Sequence, residues 1–91
     1  MSWFSKSEEQ VLVDNLLDKI EDRIMNDTAS WKISEDIGYH VYKDIFFFKG
    51  GKIGWDKSKT TMLSLTKKQE KRLVALETKL NAYKIMDRMN K

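Results

Sequence analysis

The chain contains no cysteine, no proline, one histidine and only four glycines. Without cysteine there is no disulfide, no thiolate metal ligand and no thiol nucleophile, a composition that fits a reducing compartment. Without proline, the elements must be joined by turns built from Gly, Ser, Asp and Lys. No run approaches the roughly 20 apolar residues that span a bilayer, and no signal-peptide pattern opens the sequence. The expectation is a cytoplasmic protein with no membrane partner. Catalytic groups are sparse as well. His40 sits between Tyr39 and Val41 in a strand-like segment, the serines fall at caps or turns, and carboxylates gather only on the first helix. A nucleophile, a base and a charge stabiliser cannot be assembled from these, and carboxylates on a regular helix converge poorly on a metal. The expectation is therefore no enzyme, no cofactor and no metal site.

What is present suits one small α+β domain over residues 1–91, with 41% hydrophobic residues against 34% charged. The organising stretch is Ile45–Trp55, where an aromatic run meets Gly50–Gly51 and a second apolar run follows. A Gly-Gly pair between strand-like runs predicts a two-residue hairpin, because the turn that matches strand twist needs positive φ at both central residues. This register sets Lys49 opposite Lys52, Phe48 opposite Ile53, Phe47 opposite Gly54 and Phe46 opposite Trp55. Phe46, Phe48, Ile53 and Trp55 then share one face, expected to be the floor under two helices, and Phe47, Lys49, Lys52 and Gly54 share the other.

Two amphipathic helices flank a small antiparallel sheet expected at about 31–55 and centred on this hairpin. The first, about 8–26, opens on the capping box Ser7–Glu8–Glu9–Gln10 and carries Val13, Leu16, Leu17, Ile20 and Ile24 at helical spacing. The second, about 67–89, opens on Thr66–Lys67–Lys68–Gln69 and carries Leu73, Leu76, Leu80 and Tyr83, broadened by Ala82, Ile85, Met86 and Met89. Between them, Trp31–Ile33 and Ile37–Val41 alternate as strands, and Thr61–Leu65 has room for a further short one. For Ser34–Ile45 a helix is the competing reading, with Ser34 as its cap and Ile37, Val41 and Ile45 at i,i+4. Gly38 and the β-branched and aromatic content favour the strand.

Charge is divided unevenly along the chain. Residues 1–44 carry a net −5 and residues 45–91 a net +8. Lys67, Lys68, Lys71 and Arg72 crowd the first turns of the second helix, against its dipole and with like charges at i,i+4. An arriving anion would relieve both costs. With Lys49 and Lys52 at the hairpin and Lys57 and Lys59 after it, these residues could form a basic edge that tracks a phosphate backbone, with Phe47 placed to stack a base. A looser pattern, Gly51–Lys52–Ile53–Gly54, has the form of a backbone-clamping GXXG loop, but that loop joins two helices and the flanks here are strand-like.

The function expected from these features is a non-enzymatic module that associates with nucleic acid, RNA or single-stranded DNA before duplex. The alternative is a protein-binding regulator or inhibitor, of the kind a viral or mobile-element accessory factor directs at a host protein. It would use Trp3, Tyr42 or the acidic ridge Asp14, Asp18 and Asp22. Alternatively, the acidic and basic halves simply pack together, and the seam of the second helix offers a route to homodimerisation.

Overall fold

In the computed structural model, residues 7–26, 31–42, 45–55 and 62–89 are described, with residues 87–89 described by backbone alone. The order is α1 (Glu8–Asn26), β1 (Trp31–Ser34), β2 (Gly38–Val41), β3 (Phe46–Lys49), β4 (Lys52–Trp55), β5 (Met62–Leu63) and α2 (Lys67–Met89). The strands form one antiparallel meander in chain order, with β3 in the middle. The sheet thus reaches beyond residue 55 to Leu63 and has five strands. Among the described residues of 34–45 no helix forms. Instead the Ser34 hydroxyl accepts the Ile37 N–H (3.3 Å) in the turn before β2.

Both helix starts are held by reciprocal capping boxes. Ser7 and Gln10 exchange side-chain bonds of 3.0 and 3.2 Å, and so do Thr66 and Gln69. Each pair satisfies two backbone donors that a helix start would otherwise leave open. Gln69 is buried and does more. Its Nε2 donates to the Gln10 carbonyl (3.0 Å) and to Asp14 Oδ1 (2.9 Å), tying the two helix starts together. Further along, the Tyr83 hydroxyl lies 3.9 Å from Met25 Sδ, so α1 and α2 run parallel. Five antiparallel strands are an odd number of passes, which returns the chain for α2 in the direction of α1.

Gly50 and Gly51, at φ +62° and +76°, make the turn between β3 and β4, with Phe46 opposite Trp55, Phe47 opposite Gly54, Phe48 opposite Ile53 and Lys49 opposite Lys52. The β2–β3 connection is less regular. Ile45 leaves the expected apolar run and sits in the left-handed region at φ +51°, its N–H bonded to the Val41 carbonyl (3.0 Å). For a β-branched residue this conformation costs about 1–2 kcal/mol.

One sheet face meets both helices. Trp31, Val41, Phe46, Phe48 and Ile53 form a single cluster with Val13, Leu16, Leu17, Ile20 and Ile24 of α1 and Leu73, Leu76 and Leu80 of α2. Tyr39, Trp55 and Leu63 pack on its margin. The apolar seam of α2 outruns this floor, because 23 helical residues extend about 34 Å, whereas four-residue strands reach about 13 Å. Tyr83, Ile85 and Met86, expected to widen the buried stripe, are therefore exposed.

Candidate nucleic-acid interface

The four cations at the start of α2 do not share one surface. Arg72 turns toward α1, where its Nη2 donates to Asp18 Oδ1 (2.7 Å) and lies 3.8 Å from Glu21. It serves as an interhelical tie of the kind worth about 0–1 kcal/mol at a surface. Lys68 lines a groove between the helix starts with Gln10, Asp14, Thr66, Gln69 and Arg72. Lys67 and Lys71 lie on another side of α2, beside Glu70 and Val74. The acidic ridge of α1 is likewise engaged from within. Asp14 accepts from Gln69, Asp18 from Arg72, and Asp22 from Asn26 Nδ2 (2.9 Å). The opposite charges of the two helices thus meet in part across their own interface.

The hairpin turn rests on α2. A Cβ added to Gly51 would lie 3.0 Å from Glu70 Cγ. Glu77 is placed against the same turn, where backbone hydrogen bonds from Gly50 and Gly51 and the nearby Lys49 charge all favour its anion. Burial outweighs them, and the Glu77 carboxyl is pushed above the ordinary value of 4.5. Its Oε1 is buried with no hydrogen-bond partner among the described residues. Glu70 and Glu77 therefore stand between the hairpin lysines and Lys67 and Lys71, so the expected basic edge is interrupted.

The raised carboxyl makes stability depend on pH with a definite sign. The folded state holds this proton more tightly than the unfolded chain does, so the contribution is fully present below the unfolded value and is lost as pH rises through the folded one. Glu77→Gln, a permanent stand-in for the protonated acid, should melt with the wild type near pH 3 and above it at pH 7. Thermal melts across that range check this, and a gap that does not widen with pH would exclude burial as its source.

A second basic surface emerges on the sheet face turned away from the helices. The registers align Lys32, His40, Phe47, Gly54 and Met62 in one row across all five strands. Lys49 and Lys52 form the next pair toward the hairpin turn. Tyr42, just past β2, is 62% exposed, with Lys32 Nζ 4.5 Å from its ring centroid. None of the strand residues is acidic. Lys49 Nζ donates to the Glu35 carbonyl (3.3 Å).

Phe47 belongs to this face but is only 6% exposed and lies outside the core cluster. Its ring, 6.1 Å from that of His40, forms the floor of a depression rather than an open platform. Lys32 and Asp36 carry no expected role in the sequence, and His40 is read there only as a strand histidine. The signal that finds them is the pairing of Trp31–Ser34 with Gly38–Val41, which is long-range to the hairpin. Trp3, Lys57 and Lys59 lie outside the described residues.

Among the described residues no group of three His, Cys, Asp or Glu side chains could hold a metal ion, and no helix is long and apolar enough to cross a membrane. Comparison with protein families, with curated proteins and with solved structures finds no match to this chain.

Proposed function

We propose that this protein is a non-catalytic module that binds single-stranded nucleic acid, RNA or DNA, on the outer face of its sheet. Two amphipathic helices would then form the scaffold that leaves this face open. The observation that carries the reading is a sheet face holding Lys32, Lys49 and Lys52 beside Tyr42, His40 and Phe47, in strands without a single carboxylate. Cations that follow a phosphate backbone next to aromatic rings are the arrangement by which sheets hold unpaired strands. Single strands come before duplex because their unpaired bases can stack on aromatic rings. Lys67 and Lys71, past Glu70, would receive the strand where it leaves the hairpin end.

The test is titration of the nuclease-treated protein with labelled oligouridine, oligodeoxythymidine and duplex DNA at several salt concentrations. Single strands should bind ahead of duplex, with affinity falling as salt rises by a slope of about −0.7 for each phosphate neutralised. Replacing Lys32, Lys49 and Lys52 together with Ala should flatten that slope by about 2, and a cooperative melting transition checks that the variant is folded. Arg72→Ala, which removes only an interhelical contact, should bind as the wild type does. Binding that is absent at low salt, or unaltered in the triple variant, would overturn the reading.

A further inference from the structure

The depression over Phe47 is lined by Asp36, Ile37, Phe47, Lys49, Lys52 and Met62 and has a volume of about 310 Å3. That is the lower end of the roughly 300–1,000 Å3 usual for small-ligand sites. Three charged side chains line it without pairing with one another. Among the described residues no ion pair joins Asp36 to Lys49 or Lys52, and neither Asp36 nor Lys52 has a hydrogen-bond partner. The only bond that Lys49 Nζ makes there is to the Glu35 carbonyl (3.3 Å), at the rim. Phe47 supplies an aromatic floor, and Ile37 and Met62 supply apolar walls.

A ligand complementary to this set is flat and apolar on its faces, carries an anion for the lysines, and presents hydrogen-bond donors to a carboxylate. A nucleotide has all three. The carboxylate also discriminates among bases. Guanine offers two adjacent donors, N1–H and the N2 amine, which match the two oxygens of a carboxylate. Adenine and cytosine set their single amine beside a ring acceptor, which would face the second oxygen. Uracil flanks its one N–H with two carbonyls. We propose that this depression is a guanine subsite, in which Asp36 accepts from N1–H and the N2 amine, the base lies against Phe47, and Lys49 and Lys52 hold its phosphates. The inference rests on the reading of this face as the nucleic-acid interface and adds base preference to it.

The distinguishing experiment compares an oligouridine of about nine nucleotides, a length within one small-domain site, with the same strand carrying one central guanosine, inosine or adenosine. The wild type should bind the guanosine strand roughly 5- to 100-fold more tightly than the parent, as a bidentate base contact allows. Inosine, which lacks the N2 amine, should fall between, and adenosine should give no gain. Asp36→Asn should bring the guanosine-to-adenosine affinity ratio close to one, a comparison made within the variant so that the loss of a negative charge beside the phosphates affects both strands alike. Phe47→Leu, which keeps an apolar floor, should weaken every strand.

Equal affinity for guanosine and adenosine strands, or a preference that survives Asp36→Asn, would overturn the subsite while the phosphate-tracking reading stands. A calorimetric arm with GMP and UMP separates the sources of the ligand. Binding of GMP that depends on Asp36, together with no binding of any strand, would support the guanine subsite and overturn the single-strand interface. No binding of either mononucleotide or strand would overturn both.

Discussion

Phe48→Ala should destabilise the protein by about 3–5 kcal/mol, a large part of the roughly 5–15 kcal/mol that holds a domain of this size. The side chain is fully buried on the middle strand of the sheet. Its ring meets Trp31 edge-on at 5.5 Å and 81° and lies 5.3 Å from Tyr39. In its row across the sheet, Tyr39 stands on one side and Ile53 on the other, with α1 and α2 above. Truncation removes the transfer energy of the ring, leaves a cavity that several elements would have to close together, and forfeits two aromatic contacts. Urea unfolding should show the midpoint falling by about a fifth or more. A loss below about 1 kcal/mol would mean that this ring is not at the centre of the core.

Gly38→Ala should cost about 2–4 kcal/mol, for a reason that burial alone does not reveal. Gly38 has φ +101°, outside the left-handed well that Asn or Asp can share. An added Cβ would lie 2.3 Å from Lys49 Cβ and 2.6 Å from the Phe48 carbonyl oxygen. Both atoms belong to the neighbouring strand, so relief requires β2 and β3 to separate. Gly50 is the internal control, since its φ of +62° is ordinary left-handed backbone and nothing lies within 4 Å of an added Cβ. Gly50→Ala should cost only about 1 kcal/mol. Melting temperatures should separate the two variants by roughly 5–20 °C, and equal shifts would refute the steric argument.

Local signals in the sequence were sufficient for the helices and for one hairpin. Ser7–Gln10 and Thr66–Gln69 announce their caps within four residues, and the Gly-Gly pair specifies β3–β4 register because turn geometry and strand pairing are set together. Legibility ended where a property depended on partners distant in sequence. Lys67, Lys68, Lys71 and Arg72 are consecutive enough to look like one patch, yet helical geometry sends them to different sides and Asp18 claims the last. Phe47 reads as an exposed ring because its strand neighbours alternate, but its burial depends on what surrounds it across the sheet. Lys32 and Asp36 join Lys49 and Lys52 only after β1 and β2 have paired and docked on β3. Tyr83 continues the seam and Met86 lies beside it, and periodicity carries no information about where the sheet beneath stops.

The parallel arrangement of the helices has a kinetic consequence. Each hairpin of the meander joins strands that are neighbours in the chain, so the sheet can assemble by small loop closures on the microsecond scale of hairpins. The contact between the helix starts, from Gln69 to Gln10, spans 59 residues and can form only when the entire meander lies between them. Loop-closure entropy opposes such a contact until the sheet has already drawn its ends together. During synthesis, α1 therefore emerges with Val13, Leu16, Leu17, Ile20 and Ile24 unmatched, and must wait for Leu73, Leu76 and Leu80 before its apolar stripe is covered on both sides. A ribosome paused within the meander would leave that stripe open to chaperones and to other nascent chains.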